Sequence, residues 1–192
     1  MKNVLILGAG GNIAGRVIDI LAEEKNIRLT LFVRKKKRLR KDAGTNAHVI
    51  EGDVLKIADL RNAMQGIDIV YANLAGDLEQ MAKNIVTVMG EKGVKRLIFI
   101  SAAGIYAKTV KPVLQPYRKS VDVIEASDLD YTVLRPTWFT DDDEVDYEIT
   151  RKGEEERGSV ISQKSLTTFI VKLITEPGSY IRESLGINKP NS

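Results

Sequence analysis

Glycines near the start of the chain have the spacing of a turn that binds phosphate groups. The apolar run at residues 4–7 is followed by a short segment made of Gly8, Ala9, Gly10, Gly11, Asn12 and Ile13. Gly8 allows a sharp turn, and Gly11 has no Cβ to keep a pyrophosphate away from the backbone. The free N–H groups of the helix that follows then face the phosphates. The segment predicts a dinucleotide site, and the alternative is a glycine-rich turn without a ligand.

The spacing of these glycines separates two kinds of dinucleotide turn. The pattern Gly-x-Gly-x-x-Gly would need a third glycine at position 13, which is Ile13. The pattern Gly-x-x-Gly-x-x-Gly/Ala fits instead, as Gly8, Gly11 and Ala14. The turn is therefore similar to that of the extended and atypical short-chain dehydrogenase/reductases. Ala14 or Gly15 is expected to let the helix pack closely on the sheet.

Basic residues follow the second apolar run, where the type of dinucleotide is decided. The run at residues 29–33 continues into Arg34 and Lys35, without a carboxylate. Asp or Glu at this strand end accepts a hydrogen bond from the ribose 2′-OH of NAD, whereas Arg pairs with the 2′-phosphate of NADP. A guanidinium binds phosphate bidentately. Arg34, with Lys35 adding charge, therefore predicts NADP(H) in preference to NAD(H).

Residues after the later strands supply the other candidate contacts. Asp53 is expected either to accept from the adenine amino group, with Val54 on the ring, or to cap the following helix. The ribose is expected to lie against a segment containing Asn73, Leu74 and Ala75. The nicotinamide pocket is expected to include Ser101, Ala102, Pro136, Thr137 and Trp138. Trp138 either stacks on a planar acceptor or packs in the core.

Apolar runs alternate with amphipathic stretches along the chain. Strands are predicted at residues 4–7, 29–33, 48–50, 67–71, 96–100 and 131–134, with a final strand at 180–185. Helices are predicted at residues 11–25, 57–64, 78–90, 117–126 and 166–174, and a short basic helix or turn at 35–42. This alternation predicts an α/β, doubly wound parallel sheet of the Rossmann type. One domain is expected over residues 1–192, with a short C-terminal substrate or lid region from about residue 137.

Composition excludes several classes of site. The chain has no cysteine and one histidine, so no metal site is expected, nor thiolate chemistry. The net charge is +3, yet seven of the eight residues at 34–41 are basic, so the rest of the chain is acidic. A single basic patch without interleaved aromatic residues argues against a nucleic-acid partner. No apolar run is long enough to span a membrane, and a cytoplasmic protein is expected.

Several segments resemble those of one protein family. They are residues 7–13, 51–54, 66–70, 100–106 and 127–136, the last reading SDLDYTVLRP. In these segments the chain resembles atypical short-chain dehydrogenase/reductases of the NAD(P)H-binding, NmrA-like type, which include biliverdin/flavin reductase-like proteins. The resemblance covers nearly the whole chain. It implies a Rossmann fold with a bound NAD(P)H.

The proton-transfer pair of the wider superfamily is missing. Active members carry Tyr-x-x-x-Lys, in which the lysine lowers the tyrosine pKa. Here Tyr106 and Tyr117 are followed at that spacing by valines, and Lys119 is only two positions after Tyr117. Ser101, Tyr117 and Lys119 remain the catalytic candidates. Tyr106, Tyr117 and Lys119 act only if the loop at residues 108–116 folds over the nicotinamide.

Three functions are compatible with this pattern. The first is NADPH-dependent hydride transfer to a flavin or quinone-like small molecule, which takes its proton from water. The second is a non-catalytic NADP(H)-binding redox sensor. The third, an epimerase or dehydratase acting on a nucleotide sugar, is disfavoured because few residues follow Pro136. A monomer or weak homodimer is expected.

Overall fold

The computed structural model describes residues 1–40, 43 and 46–192. Part of the basic segment predicted at 35–42 lies outside these residues, and its described part contains a 3₁₀ helix at Lys36–Arg38. A second 3₁₀ helix spans Pro112–Leu114. The helices are α1 (Asn12–Leu21), α2 (Ile57–Ala63), α3 (Leu78–Lys92), α4 (Gln115–Glu125) and α5 (Gln163–Thr175). The strands are β1 (Lys2–Leu7), β2 (Ile27–Val33), β3 (His48–Glu51), β4 (Ile69–Ala72), β5 (Arg96–Ile100), β6 (Asp130–Pro136), β7 (Trp138–Thr140), β8 (Glu148–Arg151), β9 (Val160–Ser162) and β10 (Glu183–Asn188).

A central sheet is built from eight of the strands in the described part of the chain. Its order is β3-β2-β1-β4-β5-β6-β10-β8, and β7 pairs with β9 in a separate small sheet. Neighbouring strands of the central sheet are parallel, except that β8 runs antiparallel to β10. The predicted doubly wound α/β sheet is confirmed. Its strand order reverses between β1 and β4, and a ligand crevice forms outside the carboxyl ends of strands at such a point.

Both faces of the sheet are covered by helices, which is why its strands read as continuous apolar runs. Val4 and Ile6 of β1 face the layer of α1 and α5, whereas Leu5 and Leu7 face the layer of α2, α3 and α4. All four side chains are fully buried. Each such burial contributes roughly 1.5–3 kcal/mol, so the strand ends that carry the site are held on a rigid support.

Several predicted boundaries were wrong. Helix α1 ends at Leu21 rather than at residue 25. The last strand is Glu183–Asn188 rather than residues 180–185, because Tyr180 and Arg182 have φ of 52° and 58°, which a strand cannot accommodate. Strands β7, β8 and β9 were not predicted. The C-terminal region from about residue 137 gives β8 and β10 to the central sheet.

The described part of the chain contains no helix that is both long enough and apolar enough to cross a membrane.

Candidate functional site

A groove of about 400 Å³ lies at the carboxyl edge of the sheet, around the ends of β1, β2, β3 and β4. Most of the residues predicted to bind a dinucleotide line it, namely Gly8, Gly10, Gly11, Asn12, Ile13, Arg34, Asp53, Val54, Asn73, Leu74 and Ala75. It also contains residues that sequence reasoning missed, which include Phe32, Arg38, Gly52, Met81, Phe139 and Gln163. The tertiary structure therefore gathers four separate strand ends into one binding surface.

The glycine turn is fixed by close packing at Gly8. Gly8 has φ of 82°, and a Cβ there would lie 2.1 Å from the backbone oxygen of Asn73. Ala14 is fully buried in the core beside the sheet, whereas Gly15 lies against the guanidinium of Arg40. Ala14 is therefore the residue that lets the helix approach the sheet, and Gly15 makes room for Arg40.

The first turn of α1 faces the groove without a protein cap. Gly11 is the N-cap residue and has no side chain that could accept a hydrogen bond from the N–H groups of the first turn. A Cβ at Gly11 would make only ordinary contacts, the nearest at 3.4 Å, so the fold itself does not demand glycine there. Uncapped N–H groups at the positive end of a helix bind phosphate. The residues present therefore fit a pyrophosphate.

Two arginines lie at the end of β2. Arg34 directly follows the strand and Arg38 ends the 3₁₀ helix, and both line the groove. Within residues 1–40, 43 and 46–192, no carboxylate forms an ion pair with either guanidinium. Glu51 accepts a hydrogen bond from the backbone N–H of Lys36 at 2.8 Å and so holds the 3₁₀ helix in place. Lys35, which was predicted to contribute, does not line the groove.

The loop after β3 is held by two carboxylates and an amide. Asp53 Oδ1 accepts from the N–H of Leu55 at 3.0 Å, and the N–H of Asp53 donates to Asp59 at 2.9 Å. Asp53 therefore stabilises its own turn while lining the groove. From α3, the buried amide of Asn84 donates to the carbonyls of Val54 and Leu55, at 2.9 and 3.1 Å.

Replacing Asn84 tests whether this loop shapes the groove. We expect Asn84→Ala to lower the free energy of unfolding by about 1–3 kcal/mol, because the buried carbonyl of Val54 and the half-buried carbonyl of Leu55 lose their donor. Dinucleotide affinity should fall as well, since Val54 moves. Urea unfolding and a fluorescence titration with NADPH measure both effects. Lys83→Ala, on an exposed face of the same helix, is the control, and equal effects from the two variants would refute the role of Asn84.

The residues predicted for the nicotinamide pocket lie outside this groove, at the ends of β5 and β6. The hydroxyl oxygens of Ser101 and Thr137 are buried and have no hydrogen-bond partner in the described part of the chain. Ala102 and Pro136 lie next to them in the chain. Trp138 is 82% exposed, so its interpretation as a core residue was wrong. Buried hydroxyls without a hydrogen-bond partner are rare, which makes these two oxygens candidates for contact with a ligand.

The candidate proton donors do not meet at the groove. Lys119 Nζ lies 3.6 Å from Glu79 Oε2 on the outer surface, and Tyr117 packs partly buried against the core. Tyr106 donates to Glu125 at 2.6 Å and lies 3.0 Å from the hydroxyl of Ser184. Burial, together with the Glu125 hydrogen bond, raises the pKa of the Tyr106 phenol above its usual value. Tyr106 is therefore held protonated, whereas a Tyr–Lys pair would lower the tyrosine pKa.

Comparison with known families identifies the class to which this groove belongs. A family model described as NAD(P)H-binding matches residues 8–177, a range that contains every groove residue named above. The chain belongs to this NAD(P)H-binding family. The same resemblance was inferred from the sequence and is confirmed at this level.

Solved structures agree with this NAD(P)H-binding assignment. A Rossmann-fold NAD(P)-binding family protein from Shigella flexneri is 47% identical, with a TM-score of 0.93 over 100% of this chain and 95% of its own. A short-chain dehydrogenase/reductase from Veillonella parvula, solved in complex with NADP, is 25% identical, with a TM-score of 0.89 over 99% of this chain and 95% of its own. ChuY, an anaerobillin reductase from Escherichia coli O157:H7, is 15% identical, with a TM-score of 0.83 over 100% and 98% of the two chains, and shows the shared fold.

Within the described residues, no group of three or more His, Cys, Asp or Glu side chains is placed to hold a metal ion.

Proposed function

We propose that the protein is an NADPH-dependent reductase that passes a hydride to a planar flavin or quinone-like acceptor. The observation that carries this proposal is that the candidate proton donors Tyr106, Tyr117 and Lys119 are not among the described residues that line the groove. Lys119 is turned to Glu79, and the pKa of Tyr106 is raised. An acceptor that takes its proton from water needs only to be positioned.

The preference for NADPH rests on the two arginines at the end of β2. Arg34 and Arg38 offer two guanidinium groups where the ribose 2′-position of a bound dinucleotide lies in this fold. A phosphate dianion gains charge-assisted hydrogen bonds from both. The Veillonella relative, solved with NADP, supports the same preference.

The rest of the groove can be divided among the parts of the dinucleotide. The N–H groups at the start of α1 would hold the pyrophosphate. Asp53 and Val54 would contact the adenine, and the segment from Asn73 to Ala75 the ribose. The unpaired hydroxyls of Ser101 and Thr137 would bind the carboxamide or the acceptor.

The acceptor would stack on aromatic side chains near the sheet edge. The indole of Trp138 is 82% exposed, and Phe139, 48% exposed, lines the groove. A bound NADPH supplies the hydride, and the chain contributes the binding of both rings and their orientation. Large apolar side chains exposed beside a cleft are typical of ligand sites.

Titration and turnover test the proposal together. The purified protein is titrated with NADPH and with NADH, and NADPH oxidation is then followed with FMN, with a quinone and without acceptor. Tight NADPH binding with flavin or quinone turnover supports the reductase. Failure to bind either nucleotide would overturn the whole assignment.

A non-catalytic NADP(H) sensor is the second candidate function. It is favoured because neither Tyr117 nor Lys119 lines the groove. Tight NADPH binding without turnover on any acceptor would establish this alternative. The nucleotide-sugar enzyme is not favoured, because β8, α5 and β10 occupy much of the chain after Pro136.

Two substitutions test whether Tyr117 and Lys119, the proton donors predicted from the sequence, contribute to turnover. We expect Tyr117→Phe and Lys119→Ala each to keep NADPH turnover within about twofold of the wild type, because neither side chain lines the groove. Steady-state kinetics with FMN and a quinone provide the measurement. A loss of about 100-fold in either variant, typical for a lost general acid, would show that a protein proton is needed.

A further inference from the structure

A buried arginine lies beside the nicotinamide end of the site and is paired with an irregular loop. Arg135 is near the end of β6 and is 1% exposed. Its guanidinium forms an ion pair with Glu156, and Nη2 donates to the backbone oxygen of Ser184 at 3.4 Å. The same Glu156 carboxylate accepts from the backbone N–H of Gly104 at 2.7 Å. One carboxylate thus occupies an anion site made by Arg135 and Gly104.

The two ends of the loop that delivers Glu156 are held by an ion pair between Lys152 and Glu125 and by the N–H of Ser159, which donates to the hydroxyl of Ser192. The weakly held part of the loop is therefore residues 155–158. Residues 152–159 contain no helix or strand, and Gly153 and Gly158 have φ of 94° and 66°. The backbone groups of residues 155–158 make no hydrogen bond to any described residue. Glu155 next to it is exposed. Glu156 is therefore the inward anchor of this segment, and its release would open the anion site.

Glu156 leaves one hydrogen-bond donor of the anion site unpaired. Arg135 Nε is buried and has no acceptor in the parts of the chain that the structure describes. A guanidinium presents its donors in a fixed fork that a planar carboxylate can fill with two hydrogen bonds. A buried donor left unpaired needs an explanation, and a ligand carboxylate that engages Nε supplies one.

The charges around the site also favour a replacement anion. Three cations lie within 5 Å of the Tyr106 ring centroid, Arg118 and Lys152 at 4.8 Å and Arg135 at 4.9 Å. Asp122 pairs with Arg118, and Glu125 pairs with Lys152. When Glu156 leaves, Arg135 has no other carboxylate as an ion-pair partner among the residues that the structure describes. The vacated site then carries one excess positive charge.

We propose that Arg135 and the N–H of Gly104 form a binding site for a carboxylate group, which Glu156 occupies until a ligand carboxylate displaces it. Gly104 is three residues from Ser101, which limits their Cα atoms to about 11 Å, and Arg135 is two residues from Thr137. The site therefore adjoins the proposed acceptor position. Its assignment to a carboxylate of the hydride acceptor rests on the reductase function proposed above, whereas the anion site itself does not.

Chemical rescue tests the anion site without any turnover. Glu156→Ala should unfold at a lower temperature than the wild type, because Arg135 loses its partner. Sodium propionate should raise the Tm of this variant by about 3 °C or more, while propionamide, and sodium chloride at equal ionic strength, should not. The wild type and Glu155→Gln, the matched control from the same loop, should shift by less than about 1 °C. If Glu156→Ala does not fold, Glu156→Gln is used in the same way.

The possible results separate this proposal from the reductase function. No difference between propionate and chloride on either Glu156 variant would overturn the anion site. Rescue by propionate supports the anion site even if none of the acceptors supports NADPH oxidation. In that case only the reductase proposal fails. For the acceptor assignment, kcat/KM of Glu156→Ala should rise about tenfold for a naphthoquinone carrying a carboxylate and stay unchanged for the uncharged parent. Equal changes for the two quinones would overturn that assignment.

Discussion

Gly8→Ala is expected to lower the free energy of unfolding by at least about 2 kcal/mol and to weaken NADPH binding about tenfold or more. Gly8 has φ of 82°, and the new Cβ would lie 2.1 Å from the backbone oxygen of Asn73. The end of β1 and the end of β4 must then move apart. Because Gly8 begins the turn that leads into α1 at Asn12, the N–H groups that face the groove move with it. Urea unfolding and a fluorescence titration with NADPH measure the two effects.

Gly66→Ala is the matched control for this prediction. Gly66 also has a positive φ, 66°, but a Cβ there has no neighbour within 4 Å. Gly66→Ala should therefore lower the free energy of unfolding only through the left-handed backbone conformation, by roughly 1–2 kcal/mol, and leave NADPH affinity unchanged. If the two variants were equally destabilised and bound NADPH equally well, the contact between Gly8 and Asn73 would have no role in the site.

Arg34→Ala and Arg38→Ala are each expected to weaken NADPH binding by about 10- to 100-fold. A hydrogen bond to a charged group contributes roughly 1.5–3 kcal/mol, and the 2′-phosphate would lose such a bond in each variant. NADH has no 2′-phosphate, so its affinity should change by less than about threefold. Parallel titrations with NADPH and NADH give the ratio of the two affinities, and this ratio should fall furthest in the double variant.

Lys37→Ala is the control for the two arginines. Lys37 belongs to the same 3₁₀ helix and carries the same charge, but it does not line the groove. Its removal should reduce NADPH affinity only slightly, through screened long-range attraction. An equal loss for NADPH and NADH in the arginine variants would mean that they stabilise the loop rather than read the 2′-phosphate.

The glycine turn and the strand ends were predictable because their signals are local. Gly8, Gly11 and Arg34 each stand at a fixed distance from an apolar run, and that distance places them at the carboxyl edge of the sheet. Arg38 was missed because its position depends on a single 3₁₀ turn, which Glu51 in β3 holds by a hydrogen bond to the N–H of Lys36, 15 residues earlier in the chain. From sequence spacing alone, Lys35 and Arg38 could not be distinguished as residues that face the groove.

Contacts from the far end of the chain were beyond any local pattern. Gln163, at the start of α5, accepts from the Asn12 side chain at 2.7 Å and donates to Asp141 at 2.7 Å. It thereby links the glycine turn to the segment after β7. Asn12 and Gln163 are more than 140 positions apart in the chain. Only the packing of α1 beside α5 on one face of the sheet brings them together.

The sequence by itself determined the class of fold and the kind of ligand. Apolar runs that alternate with amphipathic stretches predict a parallel sheet covered on both faces, and the glycine turn after β1 is typical of a site for a phosphate-bearing ligand. The tertiary structure decided which side chains meet. It turned Lys119 toward Glu79, left Trp138 exposed and seated Glu156 on Arg135, because those outcomes depend on where distant strands and loops pack rather than on spacing along the chain.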